Sequence, residues 1–154
     1  MIRRVGAVFI AAALLSTGCN GQTPEANKAA ADYLQLAAKE PGAVQTESGL
    51  VFRTLTPGTG PMPKATDVVR VHYHGTLPGG KIFDSSVDRG EPAEFGLNQV
   101  IPCWTEGVQR MHVGEKAELV CPASIAYGDR GAGGVIPPGA TLIFEVELLA
   151  IKSR

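Results

Sequence analysis

Val100-Ile101-Pro102-Cys103-Trp104-Thr105-Glu106-Gly107-Val108 runs from an extended apolar pair into a short helix, and it places the only Trp of the chain at the junction. A large indole at a helix start has to be covered, and a sheet is the usual cover. Trp104 is therefore either an anchor in the core or the floor of an apolar pocket. The segments on either side of it decide which.

Leu50-Val51-Phe52-Arg53-Thr54-Leu55 reads as a first strand, closed by the turn Pro57-Gly58-Thr59-Gly60-Pro61. Asp67 to Gly75 is a second strand, in which alternation puts Val69, Val71 and Tyr73 on one face and Arg70, His72 and His74 on the other. His72 and His74 have the spacing to share a metal, but two ligands without a nearby Cys or carboxylate partner make a weak case, so a solvated outer face is expected. His112, in a turn after Met111, has no companion. Lys81 to Ser86 begins a third strand after Pro78-Gly79-Gly80, and Ala93 to Leu97 extends again after the turn Arg89-Gly90-Glu91-Pro92. Beyond the Trp stretch, Glu115 to Pro122 alternates with Ala117, Leu119 and Cys121 on one side. Ser124 to Ala140 carries five Gly and two Pro in one long loop, of the kind that usually carries function. The last strand, Thr141 to Ile151, turns Leu142, Phe144, Val146 and Leu148 inward. Five or six strands, one short helix and no βαβ periodicity predict an α+β fold, an antiparallel five- to six-stranded sheet curled around that helix.

Composition limits what such a domain can do. The 154 residues are 44% hydrophobic and 19% charged with a net charge of -1, and the 14 basic residues are scattered, which argues against nucleic acid as a partner. The 19 Gly and 11 Pro suit short strands and many turns rather than a helical bundle.

Residues 1-19 read as an address. Arg3-Arg4 give a positive start, and Val5 to Leu15 an apolar run too short to span a bilayer. Leu15-Ser16-Thr17-Gly18-Cys19 resembles the bacterial lipoprotein cleavage box, with Ser16 standing where Leu is usual. That resemblance implies an exported protein lipidated at Cys19, held at the periplasmic face of the envelope, with Asn20 favouring the outer membrane. Ordinary signal cleavage near the same spot is the alternative. Residues 20-45 then comprise a small polar arm and an Ala-rich helix from Pro24 to Lys39, with Thr23 as its cap and Ala30, Tyr33, Leu34 and Ala37 as a narrow apolar stripe. A semi-rigid spacer is expected, and so a monomer, over a dimerising helix. If Cys19 is taken by lipid, Cys103 and Cys121 are left, and in an exported protein they are expected to pair, closing a loop of about nineteen residues.

Val71-His72-Tyr73-His74-Gly75, Phe83-Asp84-Ser85-Ser86, Val100-Ile101-Pro102 with Trp104, Ile125-Ala126-Tyr127-Gly128 and Ile136-Pro137-Pro138, in this order, resemble the FKBP-type peptidyl-prolyl cis-trans isomerases. The likeness covers Thr46 to Lys152, giving a domain of residues 46-154. The approach segment resembles macrophage-infectivity-potentiator-like members, without their long dimerising helix. The resemblance implies a catalytic pocket of Tyr73, Phe83, Asp84, Ile101, Trp104, Tyr127 and Phe144. Arg89, Val100 and Ile136 would help to bind substrate, Arg89 as the partner of Asp84. It implies proline-containing polypeptides as substrates, tacrolimus or rapamycin as ligands, and no cofactor or metal. Ala93 stands where an aromatic is common and Ala132 where larger residues sit, which would widen the rim. A chaperone or binding module that grips proline-containing segments without turnover is the competing expectation.

Overall fold

The computed structural model describes residues 24–152. The address segment, Cys19 and the polar arm up to Thr23 lie outside the described residues. Helix α1 (Pro24–Ala38) is followed by strands β1 (Ala43–Gln45), β2 (Val51–Thr56), β3 (Val68–Thr76) and β4 (Ile82–Ser85). A single helical turn α2 (Ser86–Arg89), strand β5 (Ala93–Gly96), helix α3 (Pro102–Val108) and strands β6 (Lys116–Cys121) and β7 (Leu142–Lys152) complete the chain. No helix among the described residues is long and apolar enough to cross a membrane.

The strands form one antiparallel sheet in the order β1-β2-β6-β7-β3-β4, with β5 also on β3. This is the expected α+β architecture with a seventh strand, β1, whose three residues are too few to show any period. β3 is the hub. It pairs with β7 along its whole length on one side, and on the other with β5 through residues 68–71 and β4 through residues 74–76. The gap between those two partners is filled by α2. The buried Ser86 hydroxyl there accepts the Tyr73 N–H at 2.8 Å, doing for the backbone what a strand would. Ser85 caps the turn, accepting the Asp88 N–H, and Gly90 ends it in the left-handed conformation at φ 76°.

The concave face packs on α3. Val69, Val71, Tyr73, Ala117, Leu119, Cys121, Leu142, Phe144, Val146 and Leu148 are buried there with Leu50, Leu97, Trp104, Val108 and Met111, as the alternation predicts. Gly107 lets the helix lie close, because a Cβ at that position would overlap the Leu119 side chain. Cys103 at the start of α3 is bonded to Cys121 at the end of β6, with Cα atoms 5.8 Å apart.

Two expectations are corrected. The convex face is not bare: Val51, Val120 and Ile143 are buried beneath Tyr33, Leu34, Ala37 and Ala38 of α1. The helix expected to be a spacer is docked on its own domain through that stripe, because Val51 of β2, Val120 of β6 and Ile143 of β7 form a small apolar patch on the convex side. His72 and His74 are half-buried rather than solvated, with their Nδ1 atoms 3.1 Å from the Ser86 hydroxyl and 2.9 Å from the Ser85 hydroxyl. The α2 turn covers that side of β3, which strand periodicity alone does not foresee.

Candidate functional site

Between the concave face, α3 and the Gly-rich loop lies a cavity of about 710 Å³. Trp104 forms its floor. It is only 4% exposed, and three rings meet it edge-on: Tyr73 and Phe144 with centroids at 5.3 Å and Phe95 at 5.5 Å. Perpendicular pairs of this kind each contribute roughly 0.5–1.5 kcal/mol beyond the area they bury, so the indole plane is fixed from three sides. Phe83 stands edge-on to Phe144 at 5.4 Å and continues the wall. The alternatives for Trp104 merge, since it is packed from below and open to the cavity above.

One wall is polar. The Tyr73 hydroxyl donates to Asp84 Oδ2 at 2.5 Å, Arg89 Nη1 donates to Asp84 Oδ1 at 2.5 Å, and Arg89 Nη2 reaches the Tyr73 oxygen at 3.0 Å. Burial pushes the Asp84 carboxyl up, but the hydrogen bonds from Tyr73 and Arg89 and the charge of Arg89 together outweigh it and hold the group below its ordinary value. Burial, followed by the hydrogen bond to Asp84, pushes the Tyr73 hydroxyl up, so it stays a neutral donor at pH 7. The result is an ionised carboxylate beside an apolar cavity, with its charge already engaged.

Two further lining residues, Tyr127 and Ile101, carry hydrogen-bond donors. The Tyr127 hydroxyl belongs to a 40% exposed side chain and makes no hydrogen bond among the described residues. The Ile101 backbone N–H likewise has no partner, because Ile101 is the N-cap of α3 and only its carbonyl is used, by Trp104 and Thr105. The loop behind Tyr127 is shaped by its glycines. Gly131 has φ 65° and ψ −161°, a region only Gly enters comfortably, and a Cβ there would strike the Ile136 carbonyl. Without a side chain there, Ala132 folds back to exchange backbone hydrogen bonds with Ile136, which lines the cavity.

Of the residues singled out in the sequence, Tyr73, Phe83, Asp84, Val100, Ile101, Trp104, Tyr127, Ile136 and Phe144 line this one cavity, with Ala132 at its rim. Arg89 does not line it and is joined to it only by its hydrogen bonds to Asp84 and Tyr73. Phe95, Gln99, Gly133 and Val135 line it as well. Phe95 was legible in principle: it sits two residues beyond Ala93 on the same face of β5, and it supplies an aromatic wall beside the small residue. Ala93 packs in the core without reaching the cavity lining.

Residues 60–149 match the family model of the FKBP-type peptidyl-prolyl cis-trans isomerases. The chain belongs to that family. It is 58% identical over 128 residues to the FKBP-type peptidyl-prolyl cis-trans isomerase FkpA of Aeromonas hydrophila, covering 83% of this chain and 47% of that one. It is 45% identical over 129 residues to the outer membrane protein MIP of Legionella longbeachae, covering 83% of this chain and 55% of that protein. The crystal structure of a peptidyl-prolyl cis-trans isomerase from Pseudomonas syringae superimposes with a TM-score of 0.80 at 42% identity, covering 88% of this chain and all of the other. The chain spans about half the length of the first curated relatives it matches. In this FKBP-type chain the matched segment contains every cavity residue named above.

Proposed function

We propose that this chain is a peptidyl-prolyl cis-trans isomerase that accelerates X-Pro rotation in proteins folding in the cell envelope. The observation that carries the reading is the aromatic cavity floored by Trp104, with donors at Ile101 and Tyr127 that no described residue engages. Rotation about an X-Pro bond crosses a barrier of about 20 kcal/mol and breaks no covalent bond, so neither nucleophile nor proton transfer is needed. A planar amide is strongly polarised by resonance, and the twisted transition state has lost much of that polarity. An apolar cavity that replaces water around the amide therefore favours the twisted form, and each 1.4 kcal/mol or so of that preference gives about a factor of ten in rate. The proline ring rests on Trp104 between Tyr73, Phe83 and Phe144. The Ile101 N–H and the Tyr127 hydroxyl hold the flanking carbonyls, and Asp84, fixed by Tyr73 and Arg89, presents its carboxylate to the twisting amide. Val100 and Ile136 close the sides.

The same cavity, about the size of a drug-sized ligand, suits macrolides such as tacrolimus or rapamycin. Cys19 carries the lipid that anchors the protein at the periplasmic face of the outer membrane, in line with the Legionella relative being an outer membrane protein, and the protein works there as a monomer. A protease-free isomerisation assay on a Leu-Pro peptide tests the reading. Wild type is expected to catalyse, Asp84→Ala to lose roughly tenfold in kcat/KM and Tyr127→Phe a few-fold, in keeping with one lost polar contact each. A well-folded wild type that binds the peptide and leaves its isomerisation rate unchanged would replace this reading with a binding module. Mass spectrometry of the mature N-terminus tests the anchor, which an unmodified terminus lacking Cys19 would rule out.

A further inference from the structure

Consecutive residues of a regular strand point to opposite faces of the sheet. Phe83 and Asp84 are consecutive in β4, yet both line the cavity. The ladder between β3 and β4 explains how. His74 lies opposite Ser85 and Gly75 opposite Asp84, but Thr76 lies opposite Ile82, so Phe83 is an extra residue without a partner across the ladder. A bulge of this kind re-aims a side chain.

The re-aimed ring needs a place to lie, and it lies on the bare backbone of Gly75. A Cβ at Gly75 would stand 2.5, 2.8 and 3.1 Å from Cζ, Cε2 and Cε1 of Phe83. Ordinary carbon contacts are about 3.5–4.0 Å, so a methyl group there displaces the ring by about an ångström. Gly75 is not among the glycines with positive φ, so its position asks for the missing side chain and not for unusual backbone freedom. Its partner on the other side of β3 is Phe144, whose ring touches both Phe83 and Trp104.

We propose that Gly75 is a positioning and specificity-determining residue, the seat on which the bulge lays Phe83, and that it sets the width of the cavity. A side chain at 75 lifts the ring from the sheet into the cavity and narrows the space for a proline ring. The kinetic part of this rests on the isomerase reading; the steric part does not.

A double-mutant cycle of Gly75→Ala and Phe83→Leu tests it, read both by denaturant unfolding and by kinetics on a Leu-Pro peptide, with binding followed through Trp104 fluorescence. Gly75→Ala in wild type is expected to raise KM about tenfold with a smaller change in kcat, and in Phe83→Leu to cost less than about threefold, because the smaller side chain clears the methyl group. Equal fold-losses in the two backgrounds, or a folded Gly75→Ala with wild-type KM, would overturn the proposal. If Gly75→Ala does not fold but the double variant does, the seat is supported. If neither folds while Phe83→Leu alone does, the seat is refuted. Should wild type show no isomerase activity, the proposed function fails while the unfolding cycle still decides the steric relation.

Discussion

Asp84 shows how a single side chain is held by neighbours on two different elements, one eleven residues before it and one five residues after it. Its carboxylate is half exposed, yet both oxygens are engaged, one by Tyr73 from the adjacent strand and one by Arg89 from the turn that follows. Because its folded-state pKa is depressed, the network contributes stability above the ordinary carboxylate value, and the contribution is lost as pH falls through the folded-state value. The difference in unfolding free energy between wild type and Asp84→Asn is therefore expected to stay constant from about pH 7 to about pH 5 and to shrink below about pH 4. Removing the cation should act on the same titration. In Arg89→Gln the burial of Asp84 is less well opposed, and the midpoint read from its carboxyl carbon by NMR is expected to rise above that of wild type. An unchanged midpoint would mean that Tyr73 alone holds the carboxylate.

Among the elements, α3 is the platform of the site and is fastened three ways. Its first turn is bonded to β6 through Cys103 and Cys121, its last turn lies on the sheet because Gly107 has no side chain, and the Thr105 hydroxyl donates to the Leu97 carbonyl at 2.5 Å. Both cysteines are fully buried, so the bond closes its loop inside the core. Closing a loop of this length stabilises by roughly 3 kcal/mol in the chain-entropy view. Replacing both cysteines, as Cys103→Ala/Cys121→Ala, is expected to cost about 2–4 kcal/mol in urea unfolding, the cavities left by the sulfurs included. Because Trp104 follows Cys103 directly, loosening this turn should also broaden the Trp104 environment, visible as a change in its fluorescence. A double variant as stable as wild type would show that packing alone holds the helix start.

At the scale of the molecule the sheet is a two-sided slab with a different duty on each face. The concave side holds α3 and the cavity, and the convex side is covered by α1 through Tyr33, Leu34 and Ala37. No described residue of α1 lines the cavity, so the two faces can be varied separately. Leu34→Ala is expected to lower stability by about 1–2 kcal/mol, as a half-buried leucine truncation does, and to leave kcat/KM on a Leu-Pro peptide unchanged. A kinetic loss without unfolding would reveal coupling through the slab that the packing does not predict.

The local pattern of the chain by itself determined the strands from β2 onward, their inward faces and the short helix carrying Trp104, because period-two alternation and Pro/Gly punctuation are properties of neighbouring residues. The family motifs, in their order along the chain, pointed to the cavity residues. What those patterns could not carry is whatever depends on residues distant in sequence meeting in space. The three-residue β1, the docking of α1, the partial cover of His72 and His74 by α2 and the place of Phe95 on the cavity wall all arise from contacts between elements. The bulge that turns Phe83 to the same side as Asp84 breaks the very alternation on which a strand is read, and only the register of β3 against β4 fixes it. That is why the residues of the site were legible while its shape was not: composition and spacing name the side chains, and the width between them is set by which backbones lie beneath.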